Sequence, residues 1–411
     1  MLTQTARVRA RMENDQGEQD EDDRFEFRAQ IFCENASGSR VSTWAFSPDS
    51  RKVLIPTTER EIAVWDCITD EVAKVINCQV QAKQALYVHK TVIVDSNVGW
   101  GFLGPGAGKR SLAYAKGKRY TSLHVVMDGT KLCAVSLTDG EVRLVELTVG
   151  ELEEQGMTMQ LAEDLLPFDE GTELFATSNG KHVCLGLQYS NTLAVLDLDT
   201  KLATQFVLEE HVVDCGEDVF VSCMINATHV GLVTDFGRLL VFKLAQPNKP
   251  WINTLASCAQ FSPNGRLMFL ANREVMQMWS VAARAESHSL QRPQLLKNRD
   301  CTLAVFSPNG RTVAASCDAA IYLWETEFGH YLGALCDAEQ TIMDMCFSYN
   351  SNRLLALCRD EEEGMDRLKC TQIVWDLQSG PRERMRILGC HPELHGLPNL
   401  LRRIQSFLFS D

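Results

Sequence analysis

The chain has 411 residues, of which 45% are hydrophobic and 23% are charged, and its formal net charge at pH 7 is −14. This composition is typical of a soluble globular protein, and the acidic excess argues against general binding to nucleic-acid phosphates, which needs a basic surface. No apolar run approaches the roughly 20 residues that span a bilayer. We therefore expect no membrane segment, no general binding to nucleic acid, and a cytoplasmic or nuclear location.

The cysteines and histidines give no sign of a metal or cofactor site. The 15 cysteines are dispersed, without a C-x-x-C pair, and most lie inside apolar runs. That usage is typical of buried free thiols in a reducing compartment, and a zinc site needs closely spaced ligand pairs. The glycine-rich stretch 104–110 resembles a phosphate loop, but Leu103 and Arg110 stand where the motif needs Gly and Ser or Thr. We expect no cofactor, no metal and no catalytic residue.

The N-terminal part of the chain divides at residue 24. Residues 1–24 are polar and include an acidic run at 18–23, so they cannot bury enough apolar surface to offset the entropy of ordering, and we predict a disordered acidic tail. Residues 25–32 alternate between apolar and polar side chains, which predicts a strand. Because an open ring of sheets would leave exposed strand edges, we expect this strand to complete the last repeat beside residues 372–375.

A repeat then occupies most of the chain, and it is clearest in two turns. The sequence Phe-Ser-Pro-Asn-Gly-Arg occurs at 261–266, followed by Trp279, and again at 306–311, followed by Trp324. The two copies of the motif are 45 residues apart, and so are the two tryptophans. Each unit has an apolar run, a tight turn, a second run, a third run that ends near a bulky residue, and a more polar fourth segment. The position near the end of the third run recurs eight times, at 65, 101, 145, 196, 242, 279, 324 and 375. The mean spacing, about 44 residues, and four strands per unit predict the blades of a β-propeller.

On these residues the chain resembles the WD40-repeat family, as a divergent member. The resemblance rests on the Phe-Ser-Pro turns, on Trp65-Asp66 and Trp375-Asp376, and on turn aspartates at 139, 235 and 318. It covers residues 25–388 and implies an all-β propeller with eight repeat slots, seven blades being the alternative because that number is commoner in the family. Most of the family's Gly-His pairs are missing, and Val145, Leu196 and Phe242 replace tryptophan. Apolar packing between blades must therefore carry more of the stability.

One basic cluster interrupts the acidic chain within the second unit. It consists of Lys109, Arg110, Lys116, Lys118 and Arg119. The cluster is a candidate site for an acidic partner, a phosphopeptide or RNA phosphates; the alternative is a solvated loop.

Residues 389–411 predict a short C-terminal helix. Its apolar side chains recur at the spacing of one helical stripe, at Leu397, Leu400, Leu401, Ile404 and Leu408. The stripe would pack either on the propeller or in the groove of a partner. The tail is also faintly similar to the end of a SOCS box, the module that recruits elongins and a cullin, although Arg386 stands where that module has leucine.

The function that these features favour is a non-enzymatic protein-interaction scaffold in a hetero-complex, with partners whose identity the sequence does not give. A propeller presents many loops on a rigid ring, and binding residues concentrate in such loops. Two alternatives stay open: a substrate-recognition subunit of a cullin-type ubiquitin ligase, and an RNA-associated propeller subunit.

Overall fold

The computed structural model describes the strands, most of their turns and few of the longer connections. The described residues are 28–35, 45–56, 60–69, 71–78, 82–88, 91–96, 99–103, 113–114, 122–126, 131–138, 141–148, 155–159, 174–178, 181–187, 192–197, 199–200, 202–207, 220–234, 236–291, 296, 299–317, 320–336, 340–360 and 370–377.

The described strands form eight antiparallel sheets, which follow one another along the chain. One strand, β1 (Arg28–Asn35), precedes the first sheet. The first sheet contains β2 (Lys52–Pro56), β3 (Glu61–Asp66) and β4 (Glu71–Asn77). The second contains β5 (Ala82–Val88), β6 (Thr91–Ser96), β7 (Gly99–Leu103) and β8 (Ala113–Tyr114). The third contains β9 (Ser122–Val126), β10 (Lys131–Thr138), β11 (Glu141–Thr148) and β12 (Gln155–Met159). The fourth contains β13 (Leu174–Ser178), β14 (His182–Leu187), β15 (Thr192–Asp197) and β16 (Leu202–Val207).

The second half of the chain repeats the same plan. The fifth sheet contains β17 (Phe220–Ile225), β18 (His229–Thr234), β19 (Arg238–Lys243) and β20 (Gln246–Leu255). The sixth contains β21 (Cys258–Phe261), β22 (Leu267–Ala271), β23 (Met276–Ser280) and β24 (Ala285–Ser289). The seventh contains β25 (Cys301–Phe306), β26 (Thr312–Cys317), β27 (Ala320–Glu325) and β28 (Tyr331–Cys336). The eighth contains β29 (Gln340–Phe347), β30 (Arg353–Asp360) and β31 (Cys370–Asp376), together with β1.

All eight predicted repeat positions lie on the third strand of a sheet when the isolated bridge between Phe46 and Val53 is counted as the first strand of the first sheet. In the seventh sheet the bulky position belongs to a cross-strand row in which Phe306 pairs with Val313 and Val313 pairs with Trp324. Paired residues project from the same face of a sheet, so the row supplies three apolar side chains to one interface. The same row recurs as Phe261, Met268 and Trp279 in the sixth sheet and as Phe347, Leu354 and Trp375 in the eighth.

The recurring position has a different strand register in the second and third sheets than in the other six. There Gly101 pairs with Val94 and Val145 pairs with Ala134, each the fourth residue of its second strand. In the other six sheets the bulky position pairs with the second residue of that strand, as Trp324 does with Val313. In the second unit Trp100 directly precedes the predicted position, and the third unit has no tryptophan near Val145. The spacing of apolar residues alone does not fix which residue lies opposite which.

The N-terminal strand closes the ring, as the sequence predicted. The strand β1 pairs antiparallel with β31, from Arg28 opposite Asp376 to Asn35 opposite Cys370. The first and eighth sheets also meet through side chains, because the Arg353 guanidinium donates to the Ser50 carbonyl oxygen at 2.8 Å and the Asn350 amide donates to Ser50 Oγ at 3.1 Å. Residues at the start and the end of the repeats are therefore neighbours in space.

Apolar clusters fill the spaces between neighbouring sheets. Between the sixth and seventh sheets, Trp324 is fully buried against Phe269, with ring centroids 6.4 Å apart, and its indole nitrogen donates to the Gln291 carbonyl oxygen at 2.8 Å. Similar clusters join the fourth to the fifth sheet, the fifth to the sixth, the seventh to the eighth, the eighth to the first, and the first to the second. Packing between sheets is thus the main source of core burial in the part of the chain that is described.

One cysteine pair corrects the expectation that all the thiols are free. Cys301 and Cys317 form a disulfide between β25 and β26, with Cα atoms 4.4 Å apart. They are direct partners in the strand register, so pairing of the strands brings together two residues that lie 16 positions apart in sequence. Spacing along the chain carried no sign of this, because cross-strand neighbours are set by register.

Candidate functional site

The sheets give the propeller two ends with different character. Because consecutive strands are antiparallel, the connections alternate between the ends. One end, which we call the Ser-Pro end, carries the turns between first and second strands, such as 262–265 and 307–310, and the connections between third and fourth strands. The opposite end carries the connections between second and third strands, such as 235–237 and 272–275, and those between successive sheets, such as 256–257.

The turns at the Ser-Pro end use their polar groups to hold themselves together. In the seventh sheet, Ser307 Oγ donates to Asn309 Oδ1 at 2.7 Å and accepts from the Thr312 amide at 2.9 Å, while Gly310 has a φ of 71°. The turns at 47–50, 262–265 and 348–351 repeat the serine contacts, and the four serines are buried. These groups are already paired, so the motif that identified the repeat is structural.

Neighbouring turns at this end also bond to one another. The Asn309 amide donates to Ser351 Oγ at 3.1 Å, which links the seventh sheet to the eighth. In the turn of the first sheet, the hydrogen bond that the Ser47 hydroxyl donates to Asp49 is the main reason why the pKa of Asp49 is lowered. Polar contacts therefore connect neighbouring turns at the Ser-Pro end.

The opposite end exposes two large apolar side chains on neighbouring loops. Phe236 and Leu255 are each 63% exposed. Their loops are joined, because the Ala256 amide donates to the Gly237 carbonyl oxygen at 2.8 Å. The side-chain amide of Asn272, in the sixth sheet's hairpin, donates to the Leu255 carbonyl oxygen at 3.3 Å. We call these two residues the Phe236–Leu255 patch.

A polar rim borders the patch on the sixth and seventh sheets. Arg273 Nε lies 2.6 Å from Asp300 Oδ2, and the pair joins the sixth sheet's hairpin to the residue before β25. Asn272 Oδ1 accepts from the amides of Glu274 and Val275, both at 2.9 Å, which fixes the hairpin. An apolar centre beside a polar, pre-ordered rim is the arrangement found in protein–protein interfaces.

A tryptophan between two cations fastens the fifth sheet to the sixth. Consecutive residues of β19 pair with Ile252 and Pro250, so Trp251 lies at a β-bulge, a feature that redirects a side chain. Lys243 Nζ lies 3.3 Å from the centroid of the Trp251 ring, and Arg284 Cζ lies 3.1 Å from it. Because two cations this close to the ring would repel each other on one face, they lie on opposite faces of the ring. Trp251 Nε1 donates to the Val281 carbonyl oxygen at 3.3 Å.

The described residues offer little for catalysis by a thiolate or a metal. Burial raises the pKa of the Cys258 thiol to about 12 and that of Cys78 to about 11, so the reactive thiolate is scarce at neutral pH. No group of three or more His, Cys, Asp or Glu side chains is arranged to hold a metal ion in the described ranges. In the same part of the chain, no helix is both long and apolar enough to cross a lipid bilayer.

The site residues predicted from sequence lie outside the described part of the chain. This holds for the basic cluster, although the short strand Ala113–Tyr114 lies between its members, and for the apolar stripe of residues 397–408. Sequence reasoning missed the Phe236–Leu255 patch. The signal available was Phe236 itself, an aromatic residue between Asp235 and Gly237 in a turn where a small or polar residue is usual.

One family model matches part of this chain. The model of the WD domain, G-beta repeat, matches residues 299–325, which contain β25, β26 and β27 of the seventh sheet. A comparison with curated proteins finds no match. Among solved structures, the β-propeller domain of Cps50 (Swd1) from Myceliophteria thermophila is 13% identical, with a TM-score of 0.49, covering 85% of this chain and 99% of that one. The eight antiparallel sheets have the plan of a β-propeller, and the seventh of them contains a match to the WD40 repeat.

Proposed function

We propose that the protein is a non-enzymatic scaffold that binds a partner protein through the Phe236–Leu255 patch, as one subunit of a multiprotein complex. The observation that carries the proposal is the exposure of these two side chains on joined loops at one end of the propeller. Exposed apolar groups that lie together, with a polar border, mark interaction sites more often than isolated ones do.

The energetics of the patch favour association with an apolar surface. Full burial of one Phe or Leu side chain is worth about 1.5–3 kcal/mol. The loops that carry them are fixed by backbone hydrogen bonds and by Asn272, so little ordering entropy is lost when a partner binds. Two anchors of this kind, surrounded by contacts that exclude water, correspond to the hot spots of protein interfaces.

The test uses a matched pair of aspartate substitutions. Phe328 is 61% exposed, close to Phe236, but lies after β27 at the Ser-Pro end. Affinity capture with quantitative mass spectrometry would compare the wild type, Phe236→Asp with Leu255→Asp, and Phe328→Asp. We expect the double variant to lose at least one stoichiometric partner more than tenfold while Phe328→Asp keeps it. Equal recovery from all three proteins would refute the patch as the binding surface.

The ubiquitin-ligase and RNA alternatives remain predictions from sequence. The first depends on residues 389–411 and the second on residues 109–119, of which the structure describes only Ala113 and Tyr114. No contact among the described residues favours either alternative over the scaffold.

A further inference from the structure

Three exposed apolar side chains lie on the outer part of the first sheet. Ile68 is 57% exposed, Val72 48% and Val75 40%. Val72 lies opposite Trp65 and Val75 lies opposite Ala63, because a register shift falls between these two pairs. Without that bulge, residues three positions apart would project from opposite faces of the sheet. The bulge thus places both valines on the same face.

That face is the one at which the ring closes. Ala63 and Trp65 belong to the apolar cluster that joins the first sheet to Leu355 and Val374 of the eighth. The exposed valines extend this cluster outward to solvent, along the edge strand β4. We call Ile68, Val72 and Val75 the seam patch.

The chain leaves the eighth sheet beside the seam patch. After β31, the Leu377 amide donates to the Asn352 carbonyl oxygen at 2.9 Å. The Cys67 amide makes the equivalent bond in the first sheet, to the Arg51 carbonyl oxygen. Ile68 directly follows Cys67, so the exit point and the patch lie at the same end of neighbouring sheets. In the other sheets with four strands, the chain turns after the third strand and forms the fourth strand beside it. In the eighth sheet, β1 already pairs with β31 at the position of the fourth strand. Residues after 377 must therefore leave the sheet.

The sequence after the exit contains a segment with the matching apolar character. The stripe predicted at 397–408 is about 17 Å long at the rise of an α-helix. Val72 and Val75 lie three residues apart on β4, about 10 Å, and Ile68 lies in the turn before that strand, so the stripe is long enough to cover the patch. Residues 378–396 can span up to ~60 Å, so the connection is long enough to reach the patch.

We propose that residues 389–411 dock on the seam patch of the same molecule, with the stripe over Ile68, Val72 and Val75. Docking removes three exposed apolar side chains and the free edge of β4 from solvent. It also makes the stripe unavailable to other proteins until the tail is released, which would make the tail a regulated element. The inference does not depend on the Phe236–Leu255 patch, which lies at the opposite end of the propeller.

Limited trypsin digestion of the intact chain tests this proposal. Arg402 and Arg403 lie inside the docked segment, so docking slows cleavage after them. We expect Val72→Asp with Val75→Asp to raise the rate of these two cleavages at least tenfold, measured by mass spectrometry of the released peptides. The control is Leu202→Asp, because Leu202 is 67% exposed at the start of β16 in the fourth sheet; it should leave the rates unchanged.

The outcomes separate docking on the seam patch from the alternatives. Equal cleavage rates in the seam variant and the control would overturn the proposal, as would protection that rises with protein concentration, since that would place the tail on a second copy. Melting temperatures within about 2 °C of the wild type would show that the exposed substitutions leave the propeller folded. The two experiments are independent: the trypsin assay can refute docking of the tail while the Phe236→Asp variant still loses its partner, and the capture assay can refute the Phe236–Leu255 patch while the tail still docks.

Discussion

Removing the Ser307 hydroxyl should weaken the propeller by a predictable amount. The side chain is fully buried, and its oxygen is the acceptor for the Thr312 amide at 2.9 Å and the donor to Asn309 Oδ1 at 2.7 Å. In Ser307→Ala the Thr312 amide loses its acceptor inside the turn. A net hydrogen bond is worth about 1 kcal/mol, and a buried polar group left unpaired costs about 1–3 kcal/mol. We therefore expect the free energy of unfolding to fall by about 2–3 kcal/mol.

Equilibrium urea denaturation, followed by circular dichroism and tryptophan fluorescence, measures this change. The control is Ser287→Ala, because Ser287 is exposed on β24 and such substitutions usually change stability by less than about 0.5 kcal/mol. If Ser307→Ala were as stable as the control, the serine would not be holding the turn. The recurring Phe-Ser-Pro pattern would then need another explanation.

Two glycines with positive φ should respond differently to alanine. Gly329 has a φ of 73°, and an added Cβ would lie 2.9 Å from the Ser289 carbonyl oxygen, so Gly329→Ala should cost more than 2 kcal/mol through strain and clash. Gly237 has a φ of 71° with the nearest atom 3.9 Å away, so Gly237→Ala should cost only about 1 kcal/mol. The same urea titration checks both, and equal losses would mean that the contact at Gly329 is relieved by movement of the backbone.

The sequence predicted the architecture because the repeat is encoded locally. The Ser-Pro-Asn turns and the positions of Trp65, Trp279, Trp324 and Trp375 each depend on residues within one unit, and all lie where the period places them. Closure by the N-terminal strand followed from a physical requirement, that the edge strands of the ring be paired. The described part of that strand is Arg28–Asn35, and residues 25–27 of the prediction lie outside the described residues.

Features that depend on neighbouring strands or sheets could not be predicted in the same way. The disulfide between Cys301 and Cys317 and the shifted positions of Gly101 and Val145 depend on register. The Phe236–Leu255 patch depends on which loops meet at one end of the ring. The position of Phe236 in a turn was a signal, but Leu255 lies in a strand of a sequence with 45% hydrophobic residues. A single leucine there gives no sign of whether it is buried, because exposed apolar residues are common.

The pairing of β1 with β31 is the central claim, since the closed ring, the seam and the exit of the C-terminal segment all depend on it. The most direct measurement is thermal unfolding, followed by circular dichroism, of two truncated proteins, residues 21–411 and residues 36–411. We predict that the first melts like the full chain. The second lacks β1 and leaves β31 unpaired at the edge, so it should be insoluble or show no cooperative transition. A protein of residues 36–411 that melts at the temperature of the full chain would contradict the account.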